Sequence, residues 1–153
     1  MNTIHFSYKA NKILALVAFC LTIGTLRAKA GIDSYEIYLN NQLLLRQSVL
    51  KPFNLQNLPL QNAKPEDQLI IKYSQCNAPD KCGKGRSLLL KDAAGKVVKE
   101  WKFADAAGDN TMVIPMKELL PLLKSNTLGL YYVARDRPNG QILADLSGSL
   151  ARR

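Results

Sequence analysis

Cys76 and Cys82, with five residues between them in Gln75-Cys76-Asn77-Ala78-Pro79-Asp80-Lys81-Cys82-Gly83, are the residues whose spacing speaks most directly of chemistry in this 153-residue chain. Outside a reducing compartment such a pair reads as a local disulfide that closes a loop between two strands. A ring of that size would contribute about 2–3 kcal/mol and hold Lys81, Lys84 and Arg86 outward. Two thiols alone do not make a metal site, and a redox pair is normally spaced more closely, as C-x-x-C. The single histidine, His5, stands near the amino end. If residues 1–30 are removed, Ser-His-Asp, Cys-His and histidine-ligated zinc chemistry are all excluded from what folds. Paired carboxylates remain for acid and base work of the glycosidase kind, with Asp105/Asp109 and Asp136/Asp145 as the pairs, although each of these residues also suits a turn, a loop or an outward strand position. Asp105, Asp109 and Asn110 offer three oxygen ligands in one loop, an incomplete set for calcium because no full calcium-loop pattern accompanies them. No cofactor is expected.

The exclusion of histidine chemistry depends on export. Lys9 and Lys12 precede the uncharged run Ile13–Gly24 (ILALVAFCLTIG), and Ala28-Lys29-Ala30 follows with small residues where a signal peptidase inspects them. Twelve apolar positions suit a signal peptide and fall short of the ~20 a membrane-spanning helix needs. Cleavage after Ala30 is expected, leaving a secreted or periplasmic domain of residues 31–153 without a transmembrane anchor. Four of the 21 Lys and Arg lie in the leader and none of the 12 acids does, so the remaining 17 cations give residues 31–153 a formal charge of +5, against +9 for the whole chain. One domain of this size buries a sizeable core unaided.

The elements that must position these residues are mostly strands. Tyr35–Asn40 and Gln42–Gln47 flank Asn40-Asn41, a tight-turn pair. Phe53–Leu60 is extended and broken by Pro52 and Pro59, which favours an edge. Leu69, Ile71 and Tyr73 alternate with polar residues, and strands follow over 87–92, 96–103, 111–114, 128–135 and 141–146. The two D-A-A-G tetrads, 92–95 and 105–108, predict turns in which the aspartate caps and the glycine takes the left-handed position. One short helix is expected over 115–124, curtailed by Pro121. The pattern predicts an all-β fold, an antiparallel β-sandwich with immunoglobulin-like topology, or otherwise a C2-like or jelly-roll arrangement.

Lys72, Lys81, Lys84, Arg86, Lys91, Lys96, Lys99 and Lys102 crowd the middle of the chain, where strand pairing could gather several on one face attractive to an acidic glycan or an envelope protein. The plainer reading is a solvated surface on which lysine also discourages edge pairing. Trp101 alternates with Val97 and Phe103, which suits core packing, or stacking on a sugar if exposed; Tyr131 and Tyr132 must face opposite sides of their strand. Nucleic acid is not an expected partner. The segments Tyr35–Asn41, Asp67–Ser74 and Glu100–Asp105 resemble small exported β-rich proteins of Bacteroidota-type envelopes, a likeness that implies a periplasmic or secreted β domain and brings no activity, ligand or site residue with it. The expected function is a non-enzymatic binding domain. Its alternatives are a carboxylate-dependent enzyme acting on polysaccharide, and a protease inhibitor presenting the Cys76–Cys82 loop with Lys81 as bait.

Overall fold

A computed structural model describes residues 31–50, 52–76, 83–105, 108, 110–124 and 126–148, all within the unit Gly31–Arg153. Among the described residues there are nine strands: β1 Ser34–Leu39, β2 Gln42–Ser48, β3 Asn57–Pro59, β4 Gln68–Ser74, β5 Ser87–Lys91, β6 Val97–Lys102, β7 Thr111–Pro115, β8 Thr127–Ala134 and β9 Arg137–Ser147. One helical turn, α1 (Met116–Leu119), runs into a 3-10 turn over Leu120–Leu123 that accepts Pro121 at its start. No helix among the described residues is long and apolar enough to cross a membrane.

The strands form two sheets, ordered β2-β1-β4-β7 and β3-β9-β8-β5-β6. Alternation sorts their side chains as the pleat requires. In β4, Leu69, Ile71 and Tyr73 are buried while Gln68 and Lys72 are exposed; in β8, Leu128, Leu130, Tyr132 and Ala134 are buried and Tyr131 is only half-buried. The inward rows of both sheets, with Met116, Leu119 and Leu123 from the helical segment, make one apolar core. Tyr35, Tyr73 and Tyr132 stack through it, their rings nearly parallel, with centroids 6.2 Å apart for Tyr35–Tyr73 and 3.9 Å for Tyr73–Tyr132. This stack joins β1 and β4 of one sheet to β8 of the other.

The β1–β2 hairpin turns on Asn40, whose φ of 53° is the left-handed conformation that asparagine tolerates. Asn40 also reaches Asp67 through its Nδ2 at 2.9 Å and accepts from the Gln68 N–H, which ties the hairpin tip to β4. At Asp92 the D-A-A-G turn forms as expected: its Oδ1 accepts from the Ala94 and Lys96 N–H groups, and Gly95 sits at φ 79°. The fully antiparallel expectation needs correcting at one edge, because β3 pairs with β9 in parallel register, Leu58 beside Leu146. After β2 the chain crosses from one sheet to the other and arrives running alongside β9. Pro59, which has no N–H to give, is tolerated there because β3 is an edge strand.

Candidate functional site

The ends of β4 and β8 and the starts of β1, β5 and β9 meet at one end of the fold, and of the five buried polar residues described, four (Asp33, Gln75, Arg86 and Ser87) lie there. Asp33, only 8% exposed, is its hub. Its Oδ2 accepts from the Tyr73 hydroxyl at 3.0 Å and from Arg137 Nη2 at 2.5 Å, and its Oδ1 accepts from the Cys76 N–H at 2.9 Å. One buried carboxylate thereby holds the start of β1, the end of β4 and the start of β9. Nearby, Gln75 Nε2 donates to Asp136. Gly83 is buried so tightly that a Cβ there would overlap the Tyr132 hydroxyl and Gln75 Oε1 and lie 2.9 Å from Ala134 Cβ. Replacing Gly83 by alanine should therefore force the end of β8 apart and cost about 1–3 kcal/mol; thermal unfolding and the near-ultraviolet tyrosine dichroism would both register it.

Burial also sets the ionisation of the stacked phenols. Tyr35 and Tyr132 are pushed up to about 12 and Tyr73 higher still, in each case chiefly by burial, with the Asp33 charge adding to the rise at Tyr73. The fold favours the neutral phenol, so this stability is complete below pH 10, the ordinary tyrosine value, and is lost as pH climbs through about 12. In an alkaline titration, three of the five tyrosines beyond residue 30 should resist ionisation until the domain unfolds. Tyrosinate absorbance followed together with far-ultraviolet dichroism would show it; five phenols ionising together near pH 10 while dichroism stays unchanged would contradict it.

Beside the hub, on the outward side of the five-stranded sheet, lies an open groove of about 510 Å3. Arg86, Ser87, Glu100, Lys102, Phe103 and Arg135 line it, three cations against one acid. The register explains the grouping: Ser87 pairs with both Lys102 and Val133, so β5, β6 and the end of β8 present one row outward. Lys84 is exposed on the approach, its carbonyl accepting from the Arg135 N–H at 2.8 Å.

The other residues singled out by the sequence are placed differently. Arg86 was expected to point outward, but it is 3% exposed, with Nη2 donating to the Ala104 carbonyl at 2.7 Å. It forms the floor of the groove, because the start of β5 turns it under the strand leaving β6. Trp101 is half-buried against the core and donates its Nε1 to Glu118 at 2.9 Å, while the Lys99 ammonium stands 5.8 Å from its ring. The lysine cluster is divided. Lys72 lies on the outer face of the four-stranded sheet, over Tyr38, and Lys99 is turned by the pleat toward Glu118, away from Lys102. Lys91 covers the ring of Tyr131 on the outer face of the other sheet.

No disulfide is seen at Cys76, whose thiol is free and exposed. Cys82 and Lys81, on which the bridge and the inhibitor reading also depend, lie outside the described residues, as does Asp109. Asp105 accepts from the Gly85 N–H at 2.6 Å, and Asn110 donates to Ser74 Oγ at 2.9 Å, so each serves a different connection of the fold. Among the described residues no three His, Cys, Asp or Glu side chains gather as metal ligands.

The chain matches no protein-family model, no curated protein and no solved structure.

The carboxylate pair Asp136/Asp145 is separated along the length of β9, roughly 30 Å at the rise of a strand, against the ~5–9.5 Å that acid and base need on either side of a glycosidic bond. Burial raises the carboxyl of Asp145, which faces Gly129 and Asn57 in its two ladders. What sequence reasoning missed is the hub. Asp33 carries no motif, and its partners stand 40 and 104 residues away. Arg135 was likewise unmarked, since only the pairing of β5 with β8 brings it beside Lys84 and Arg86.

Proposed function

We propose that this is an exported, non-enzymatic binding domain with an immunoglobulin-like β-sandwich, and that it holds an acidic glycan in the groove of Arg86, Lys102 and Arg135. The groove is the observation that carries the reading. Three cations, Arg86 just before β5, Lys102 at the end of β6 and Arg135 just after β8, line one concavity in which Glu100 is the one acid among the described residues, and the exposed Lys84 extends the field toward solvent. Cations lining a concave surface concentrate an anionic chain and speed its arrival, more than they would on a flat face. Arg86 contributes positive potential from the floor while its guanidinium is held by Ala104.

The immunoglobulin-like reading rests on strand order. The hairpins β5–β6 and β8–β9 lie side by side through β5–β8, β4 pairs with β7, and β3 joins β9 in parallel at the edge of the same sheet. Export rests on the leader, Lys9 to Ala30, and on the resemblance to envelope proteins; amino-terminal sequencing of the native protein should begin at Gly31.

The binding claim is tested by titrating the purified protein with a sulfated or uronic-acid polysaccharide at low and raised salt. Binding should weaken as salt rises. The double variant Lys102→Glu with Arg135→Glu should weaken it about ten-fold or more while thermal stability changes little, since both are groove-lining charges whose removal breaks no core contact. Affinity indifferent to salt and to both substitutions would remove the groove from the account. Binding of acidic proteins alone, with no polysaccharide bound, would move the partner to another class.

A further inference from the structure

A second concavity lies on the opposite side of the β8–β9 turn, and its chemistry differs from that of the groove. It is a cleft of about 460 Å3, within the range of small-molecule sites, bordered by the start of β1, the chain after β2 and the start of β9. Its walls are apolar: Ile32, Leu50, Phe53 and Ile142. Ile32 and Leu50 are 50% and 52% exposed, the two most exposed large apolar side chains described. Single exposed apolar residues are ordinary on a protein surface; here two of them converge on the same hollow. Its polar end is the Asp33–Arg137 pair.

The two partners of that pair are unequally satisfied. The Asp33 carboxylate already accepts three hydrogen bonds, from Tyr73, Arg137 and Cys76. Arg137 spends Nη2 on Asp33, its Nε is buried without a partner, and its side chain is 34% exposed. A guanidinium has five donors and no acceptor, so what remains unmet at the cleft is hydrogen-bond donation from a cation. An apolar chain ending in a carboxylate meets both requirements. Asp33 neutralises one edge of the guanidinium and leaves its other N–H donors over; a carboxylate would accept from these, whereas an uncharged chain end would offer them only a weaker acceptor.

We propose that the cleft binds a medium-chain carboxylate of the fatty-acid type, its chain against Ile32, Leu50 and Phe53 and its carboxylate on Arg137. The site is separate from the groove, and neither depends on the other.

The test is titration of the isotopically labelled protein with decanoate and with decanol below the concentrations at which either aggregates, followed by amide chemical shifts. Decanoate should shift Ile32, Leu50 and Ile142 saturably, and decanol should bind at least about ten-fold more weakly, the loss of one charge-assisted contact. Leu50→Asp should abolish decanoate binding with unchanged thermal stability, because Leu50 is exposed. Arg137→Gln should reduce the preference for decanoate over decanol, read as a ratio so that partial destabilisation does not mimic it. Equal binding of acid and alcohol, shifts confined to the groove residues Lys102 and Arg135, or no saturable shift would overturn the assignment. None of those outcomes bears on polysaccharide binding at the groove, which the Lys102 and Arg135 variants read independently.

Discussion

Asp33→Ala is expected to destabilise the domain by on the order of 3 kcal/mol, lowering the thermal midpoint by roughly 10–15 °C. The carboxylate is 8% exposed and anchors three donors from two distant parts of the chain, Tyr73 and Cys76 at the end of β4 and Arg137 at the start of β9. Its removal leaves a buried tyrosine hydroxyl and the part-buried Cys76 amide without their acceptor and strips Arg137 of its counter-charge, and stranding a buried polar group costs more than a satisfied hydrogen bond contributes. Asp33→Asn keeps an acceptor and loses the charge, so it should fall between alanine and the unmodified protein. A midpoint shift below about 3 °C for the alanine variant would show that the hub is not structurally important. Arg137 is partly solvated, which is why the figure is set near the lower end of the range for broken buried pairs.

Tyr73→Ala should cost more, about 3–5 kcal/mol, the usual loss for a large aromatic removed from a core. Its ring is 1% exposed and lies between Tyr35 and Tyr132, so the vacancy would open where the two sheets touch. Flattening or filling that space would require the backbones of β4 and β8 to move, and both are central in their sheets. Tyr73→Phe separates the two contributions of the residue. It keeps the stacked ring and deletes only the hydroxyl bonded to Asp33, and should cost about 1–2 kcal/mol. Chemical denaturation of the three proteins would check the order; a phenylalanine variant as unstable as the alanine variant would place the energy in the hydroxyl and not in the stack.

The strands were legible because their information is local. Leu69, Ile71 and Tyr73 alternate within five residues, and Asn40-Asn41 marks its own turn, so periodicity and turn chemistry suffice without knowledge of the rest of the chain. The helical segment was also readable from Pro115 and Pro121, although its second half tightens into a 3-10 turn. Long-range facts were not legible. The parallel β3–β9 pair joins residues 88 positions apart, as Asn57 beside Asp145 shows, and nothing in either segment specifies the partner. Arg86 illustrates the same limit at the site: an arginine among lysines reads as surface, and only the approach of Ala104 gives its guanidinium a buried acceptor. Trp101, read as core or as a sugar platform, packs half-buried against the core and also reaches Glu118, because it sits on the edge strand β6.

The function proposed depends on where an acidic chain settles, and a map of amide chemical shifts during titration with an acidic polysaccharide reads that directly. Saturable shifts centred on Gly85, Lys102 and Arg135, fading toward Lys91 and Lys99, are the expected result. Shifts spread evenly over every exposed lysine, or centred on Arg46 and Lys72 of the other sheet, would mean that the charge is general surface and that the groove is not a site.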